Sequence, residues 1–306
     1  VVDGVAMVMD KQYPYWDIST VGLGDSTQLG LVLQPACELP AGGFGYREGE
    51  WYQKQLVQVD EPMPVTYQGF EQTTAFKQNG VYVLIGGAGG IGQVVTEHLL
   101  VGYQAQVIWL GRSVQQETLT QAIEALSRLG KSPVYYQCDA SNLAELQRVR
   151  EEIISRFGRI DGVIQSAIGE LDSSIGTMCT AQFLAALSPK FDVSLNTALA
   201  FSELSLDFML FFSSLASFAC ESGTASYSAG GIFQDELAKY LNAKANFPVK
   251  VLNWGVWDRI GVANAITDET RNRLAMPGAG VISASKGTPV LDTCLHMHVV
   301  QFAATN

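Results

Sequence analysis

From residue 81 onward, short apolar stretches alternate with longer amphipathic ones. The short stretches are rich in β-branched and aromatic residues, which is typical of strands buried on both faces of a parallel sheet. The longer stretches repeat apolar residues at three- and four-residue intervals, which is typical of helices that cover such a sheet. The pattern predicts strands at 81–85, 105–110, 134–138, 161–166, 208–213, 249–254 and 299–303. It predicts helices at 90–102, 116–129, 143–157, 180–201 and 226–245.

This alternation predicts an α/β fold with a Rossmann-like, doubly wound parallel sheet and helices on both of its faces. In such sheets, ligands bind outside the carboxyl ends of the strands. Several predicted strands end in residues that carry chemistry, among them Arg112, Asp139 and Ser214. Because several strands end in such residues, they indicate one shared site more strongly than any single motif does.

Residues 1–75 have a weaker pattern, which predicts a smaller unit. Residues 5–9 are predicted to be the end of a helix, and a strand is predicted at 28–33. A hairpin is predicted around the turn residues Glu48-Gly49-Glu50, and a linker rich in proline and polar residues is predicted to follow. No convergent catalytic chemistry appears in this part. Both ends of the chain resemble cuts within a longer polypeptide.

The composition bounds the partners that the protein can have. Of the 306 residues, 47% are hydrophobic and 16% are charged, which is typical of a compact globular protein. A formal net charge of −11 argues against nucleic acid and anionic membranes as partners. No signal peptide or membrane-spanning run is apparent, and the five scattered cysteines favour free thiols in the cytoplasm. No cluster of histidine and cysteine residues supports a metal site.

A glycine-rich stretch separates the first strand of the larger part from its first helix. It satisfies both the G-x-G-x-x-G spacing and the G-x-x-x-G-x-G spacing of short-chain dehydrogenase/reductases. Glycines permit a tight turn, and the helix N-terminus offers N–H groups to a pyrophosphate, so the stretch predicts nucleotide binding rather than an ordinary turn. The predicted cofactor-binding residues are Gly86, Gly87, Ala88, Gly89, Gly90, Ile91 and Gly92.

Arg112 follows the glycine loop by about twenty residues, at the end of the second strand of the larger part. An acidic residue there would bind the 2′-hydroxyl of NAD, whereas a guanidinium suits the 2′-phosphate of NADP. We therefore predict NADPH as the cofactor. Asp139 is predicted either to accept a hydrogen bond from the adenine amino group or to cap the next helix. The other predicted cofactor contacts at strand ends are Ser113, Ala140, Ser166 and Ala167.

Ser214 and Tyr227 form a second group of candidate residues, thirteen positions apart. A serine at a strand end can orient a substrate carbonyl, while a tyrosine at the start of the next helix donates a proton to it. Since a free tyrosine has a pKa of about 10, it needs a nearby cation to transfer protons near neutral pH. The lysine that usually follows four residues later is absent, because position 231 is glycine.

From residue 81 to its end, the chain resembles the ketoreductase domain of modular polyketide synthases, a branch of the short-chain dehydrogenase/reductases. In that family the lysine comes from an earlier helix, and Lys190 in Leu-Ser-Pro-Lys-Phe-Asp matches it. The segment 253–257, Asn-Trp-Gly-Val-Trp, resembles the family's strand before the lid, and segment 46–52 resembles a hairpin of its structural subdomain. The resemblance implies a truncated, Rossmann-like structural subdomain at 1–75 and a catalytic subdomain at 76–306.

The resemblance also implies finer features. The details of several motifs look most like synthases that are served by a separate acyltransferase. Asp172 matches the aspartate associated with the B-type facial choice, which implies a D-configured hydroxyl, whereas Ala219 occupies the place of the A-type tryptophan. Gly231 occupies the place where family members commonly carry asparagine, so no side chain is available there to hold the lysine.

The function implied by the resemblance is NADPH-dependent reduction of a β-ketoacyl, or alternatively an α-ketoacyl, thioester. The substrate would be carried by the phosphopantetheine arm of an acyl carrier protein, and the other partners would be neighbouring domains of the synthase. Tyr227, Ser214 and Lys190 would be catalytic, and the lysine and tyrosine would also contact the cofactor. Two alternatives are a reductively inactive scaffold domain and an independent reductase of small free ketones.

Overall fold

The computed structural model describes residues 1–24, 29–36, 39–58, 76–114, 116–169, 174–261 and 280–306. The first part of the chain forms a small three-stranded sheet, in which β1 pairs in parallel with β2 and β2 pairs antiparallel with β3. The turn between the last two strands, at Glu48 and Gly49, has left-handed backbone angles at both residues, so the predicted hairpin is confirmed. The elements are α1 (Val2–Gln12), β1 (Ser19–Leu23), α2 (Leu29–Ala36), β2 (Gly42–Arg47) and β3 (Glu50–Gln53).

The rest of the chain forms a seven-stranded parallel sheet. Its strands are β4 (Val81–Ile85), β5 (Gln106–Gly111), β6 (Val134–Gln137), β7 (Gly162–Gln165), β8 (Phe208–Ser214), β9 (Val249–Trp254) and β10 (Gln301–Ala304). Its helices are α3 (Gly90–Tyr103), α4 (Glu117–Ser127), α5 (Leu143–Phe157), α6 (Thr180–Leu187), α7 (Asp192–Phe201), α8 (Ala216–Ala219), α9 (Ala225–Asn242) and α10 (Ala284–His296). The spatial order of the strands is β10-β9-β8-β7-β4-β5-β6.

Every pair of neighbouring strands in this order is also consecutive in sequence, except β4 and β7. The order of the strands therefore reverses between these two strands. A doubly wound sheet leaves a crevice at such a point, where the loops after the two strands diverge. The predicted Rossmann-like fold of the larger part is therefore confirmed, and the crevice is where a ligand is expected.

Successive residues of the central strands pack into hydrophobic clusters on opposite faces of the sheet. Leu84 and Trp109 belong to one cluster, which α3 and α10 cover. Val83 and Ile108 belong to the other, which α5 and α7 cover. Burial on both faces explains why these strands are continuously apolar in sequence.

Two predicted elements differ from the structure. The segment predicted as a strand at 28–33 instead contributes to α2, with residue 28 outside the described part. Parallel strands need a crossover between them, and α2 is that crossover between β1 and β2. The single helix predicted at 180–201 is two helices, α6 and α7, since Pro189 has no N–H with which to continue the first.

The small sheet and the large one are joined through α9. Helix α1 packs so closely on α9 that a Cβ on Gly4 would lie 2.5 Å from Ala229 Cα. After β3, Lys54 Nζ lies 3.4 Å from the carboxylate of the buried Asp235 on the same helix. The subdomain boundary at residue 75 stays a prediction. Within the described residues, no helix combines the length and the apolar character needed to cross a membrane.

Candidate active site

The glycine loop between β4 and α3 leaves no space for side chains at several of its positions. Gly86 has a φ of +83°, which favours glycine, and a Cβ there would lie 2.8 Å from Ala167 N. A Cβ on Gly92 would lie 2.6 Å from Gly87 Cα. The N-cap residue Gly89 caps α3 with no side chain, so the first N–H groups of the helix can bind an anion.

A cavity of about 440 Å³ lies between this loop and the ends of the neighbouring strands. It is lined by nine of the predicted cofactor-binding residues, which are Gly86, Ala88, Gly89, Arg112, Ser113, Asp139, Ala140, Ser166 and Ala167. Two other loop residues contact the protein interior: a Cβ on Gly90 would lie 2.6 Å from Gly261 Cα, and Ile91 packs on the hydrophobic cluster. Gln93, Thr118 and Tyr135 also line the cavity and were not predicted from the sequence.

The two polar side chains predicted to bind the nucleotide follow the carboxyl ends of the adjacent strands β5 and β6 and line this cavity. Arg112 is exposed just after β5 and lines the cavity. The Asp139 carboxylate accepts hydrogen bonds from the backbone N–H of Ser141 at 3.0 Å and from its hydroxyl at 2.7 Å. The cap of α5 is instead Asn142, which accepts from Glu145 N. The alternative that Asp139 caps this helix is therefore wrong.

Ser214 and Tyr227 lie together at the carboxyl end of β8. Ser214 is the last residue of that strand, and its Oγ accepts a hydrogen bond from Ala216 N at 3.2 Å. Tyr227 lies in the first turn of α9. Burial raises the pKa of the Tyr227 phenol, and its hydrogen bond with Ser214 opposes that shift. The phenol is therefore held in its protonated form, as a proton donor must be.

Lys190 reaches the same place from the turn between α6 and α7. Its side chain is buried, and its Nζ lies 5.2 Å from the centre of the Tyr227 ring. Burial lowers the pKa of Lys190 to about 8, although the carboxylate of Asp235 opposes the shift. An ammonium with that pKa remains mostly charged at neutral pH, so it can favour the phenolate of Tyr227.

Behind these three residues lies a buried polar network that the sequence did not reveal. Gln234 accepts a hydrogen bond from Lys190 Nζ at 2.9 Å and donates to the Oε1 of Gln165 at 2.8 Å. Nearby, Asn253 Nδ2 donates to Asp235 Oδ1 at 2.9 Å. Gln234 follows Tyr227 by two helical turns, and a polar residue on that helix face was the signal available in the sequence.

Two further groups of residues from the sequence analysis have different outcomes. Asp172, the stereochemical marker, lies outside the described residues. Trp254 and Trp257 belong to the hydrophobic core, with their ring centres 4.9 Å apart.

The sequence model of a protein family described as "KR domain" matches residues 80–259. Among curated proteins, "Polyketide synthase ThaG" of Burkholderia thailandensis is 37% identical over 308 residues, which cover 99% of this chain and 5% of that protein. "Polyketide synthase PksN" of Bacillus subtilis is 36% identical over 296 residues, which cover 96% of this chain and 5% of that protein. The chain thus spans about one twentieth of the length of these relatives.

Solved structures with similar folds include the "crystal structure of an N-terminal ketoreductase from macrolactin assembly line". It has a TM-score of 0.81 and 23% identity, and the match covers 99% of this chain and 59% of that one. Another is the "Crystal structure of a ketoreductase domain from the bacillaene assembly line", with a TM-score of 0.83, 22% identity and coverage of 98% and 72%. These likenesses support the fold alone.

Proposed function

The chain belongs to the KR domain family of modular polyketide synthases, and we propose that it reduces a ketoacyl thioester with NADPH. The substrate is a β-ketoacyl or α-ketoacyl group carried by an acyl carrier protein, and the product is the corresponding hydroxyacyl thioester. The observation that carries this proposal is the convergence of Lys190, Ser214 and Tyr227 at the end of β8.

The cavity beside the glycine loop supports NADPH as the cofactor. Its loop wall has no room for a Cβ at Gly86, as a surface that cradles a pyrophosphate requires. Arg112 lines the same cavity and would bind the 2′-phosphate that distinguishes NADPH from NADH. Asp139 would accept from the adenine. When bound, NADPH supplies the hydride that the carbonyl carbon receives.

The chain's own residues control the proton in this reaction. Tyr227 Oη donates its proton to the carbonyl oxygen, while the hydroxyl of Ser214 holds that oxygen in place. The ammonium of Lys190 stabilises the phenolate that Tyr227 becomes, and it also binds the ribose of the cofactor. Because the three groups, which come from different elements, meet at the end of β8, the reacting carbonyl lies where this strand and α9 meet.

The partners and stereochemistry belong to the same proposal. The acyl carrier protein delivers the ketoacyl group on its phosphopantetheine arm, and neighbouring domains of a multidomain synthase flank this one. Relatives such as PksN are much longer than this chain, which supports such neighbours. Asp172 implies a B-type enzyme with a D-configured hydroxyl product. The separate acyltransferase stays a prediction from the sequence.

Replacing the proposed acid tests this function most simply. Tyr227→Phe should lower the rate of thioester reduction by roughly 10²- to 10⁴-fold, because the carbonyl oxygen loses its proton donor. The Kd for NADPH should change only a few-fold. Tyr240→Phe is the matched control, since Tyr240 lies on the same helix but is exposed. Retained turnover in Tyr227→Phe would contradict the assignment.

Gly231 is the observation that favours an inactive scaffold, because it presents no side chain to Lys190. NADPH fluorescence separates the two functions: a scaffold that has lost its cofactor site leaves the emission unchanged, whereas the proposed enzyme alters it. The remaining alternative is a reductase of small free ketones. That enzyme would reduce a free ketone as fast as a pantetheine thioester, whereas the proposed enzyme prefers the thioester.

A further inference from the structure

The ammonium of Lys190 is held by acceptors from two different elements. It donates to the backbone oxygen of Phe212 on β8 at 2.9 Å and to Oε1 of Gln234 on α9 at 2.9 Å. Lys190 itself lies outside any helix, in the turn after α6. Its long side chain therefore depends on these acceptors for its position beside Tyr227.

The orientation of the Gln234 amide is fixed by a second buried glutamine. Gln165 Nε2 donates to the backbone oxygen of Pro189 at 2.7 Å, so its Oε1 must face Gln234 as an acceptor. Gln234 then presents Nε2 to Gln165 and to the Ser194 hydroxyl at 2.9 Å, which leaves its Oε1 for the lysine. Pro189 directly precedes Lys190 in the chain. The hydrogen bonds from Lys190 to Gln234, from Gln234 to Gln165 and from Gln165 to Pro189 therefore form a closed cycle.

The position one helical turn after Tyr227 cannot provide this support. It is Gly231, and a Cβ there would lie 3.1 Å from Ser217 Cβ and 3.3 Å from Ser213 Oγ. A larger side chain would have to displace these two serines. In this chain the residue that reaches Lys190 from α9 is Gln234, one turn farther along.

We propose that Gln234 is a positioning residue, which holds Lys190 Nζ beside Tyr227 and is oriented by Gln165. This inference rests on the proposed function, because it explains how one of the three reacting side chains is placed without a side chain at position 231. Among the described residues, the titratable groups that face Lys190 are Tyr227 and Asp235, both on α9. Asp235 is in turn paired with Lys54 from the segment after β3.

Two substitutions of Gln234 should act in opposite directions on Lys190. Gln234→Met keeps most of the volume but removes an acceptor from the ammonium, and Gln234→Glu keeps the acceptor and adds a negative charge. Charged Lys190 is needed for catalysis, so kcat/KM of the unsubstituted domain should fall as the pH rises through its pKa of about 8. We expect Gln234→Met to lower kcat about tenfold and to move this decline to lower pH. Gln234→Glu should retain most of kcat and move the decline to higher pH.

A second readout needs no turnover. The titration of Lys190 can be followed by NMR of the domain with ¹³Cε-labelled lysine, the resonance being assigned by its loss in Lys190→Met. Its midpoint should move down in Gln234→Met and up in Gln234→Glu. Gln301→Met is the control, because it removes a 3.0 Å hydrogen bond to Asn253 without touching the lysine, and should move neither midpoint.

The outcomes separate this inference from the function on which it rests. An unsubstituted domain without turnover would overturn the proposed function, while opposite shifts in the NMR titration would still support the contact with Gln234. A Lys190 titration that neither variant moves would overturn the role of Gln234, whatever the turnover. Equal losses of kcat in both variants with an unmoved pH profile would also overturn it, since that pattern indicates a merely structural role.

Discussion

At the scale of single residues, we propose that Arg112 distinguishes between the two nicotinamide cofactors. It is exposed and lines the cavity, where its guanidinium would bind the 2′-phosphate that NADH lacks. Arg112→Gln should therefore weaken NADPH binding by roughly tenfold to a hundredfold and leave NADH binding unchanged, as measured by fluorescence titration. Arg128→Gln, which changes an exposed arginine outside the cavity, is the control. Equal losses for both cofactors would contradict the role of Arg112.

At the scale of elements, the start of α3 contacts the glycine loop where Gly92 meets Gly87, and this contact requires glycine at position 92. A Cβ at position 92 would overlap the backbone of Gly87, so Gly92→Ala must push the loop and helix apart. We expect the free energy of unfolding to fall by about 1–3 kcal/mol and the Kd for NADPH to rise at least tenfold. Denaturant unfolding and fluorescence titration measure these changes.

The same helix offers a matched control. A Cβ on Gly102 would meet nothing within 4 Å, so Gly102→Ala should leave NADPH binding unchanged. Because alanine has a higher helix propensity than glycine, the free energy of unfolding should stay the same or rise by up to about 1 kcal/mol. If both alanine variants behave alike, the close approach at Gly92 does not matter for binding.

Elements buried on both faces could be predicted well from the sequence. The run at Val81–Ile85 is apolar at every position because both faces are covered, and the structure begins and ends β4 at the predicted residues. The strand pattern at 28–33 was misleading, because alternating apolar residues there belong to a crossover helix whose form depends on the pairing of β1 with β2. The pairing of β1 with β2 cannot be inferred from the residues at 28–33 themselves.

The site was predictable to a similar extent. Residues at strand ends, such as Arg112 and Ser214, follow from the alternation alone, and nine of the predicted cofactor contacts line one cavity. Lys190 came from a family resemblance, since no local spacing connects it with Tyr227. Its support by Gln234 could not be predicted, because it depends on how β7, α9 and the turn after α6 meet in space.

At the scale of the whole molecule, α9 connects the small three-stranded sheet to the proposed active site. It carries Tyr227 and Gln234, and α1 packs against it through Gly4 and Ala229. Gly4→Leu should push α1 away, lower the free energy of unfolding by about 1–3 kcal/mol and reduce kcat more than NADPH affinity. Gly30→Leu is the control, because a Cβ there meets nothing within 4 Å. A Gly4→Leu domain with unchanged stability and kcat would show that this contact is dispensable.

We propose that this chain transfers a hydride from NADPH to a ketoacyl thioester. The most direct measurement incubates the unsubstituted chain with NADPH and a short β-ketoacyl pantetheine thioester. It follows the loss of NADPH absorbance and the hydroxyacyl product by mass spectrometry. The proposed function predicts that the two change in equal amounts. Binding of NADPH without its consumption, and without hydroxyacyl product, would contradict it.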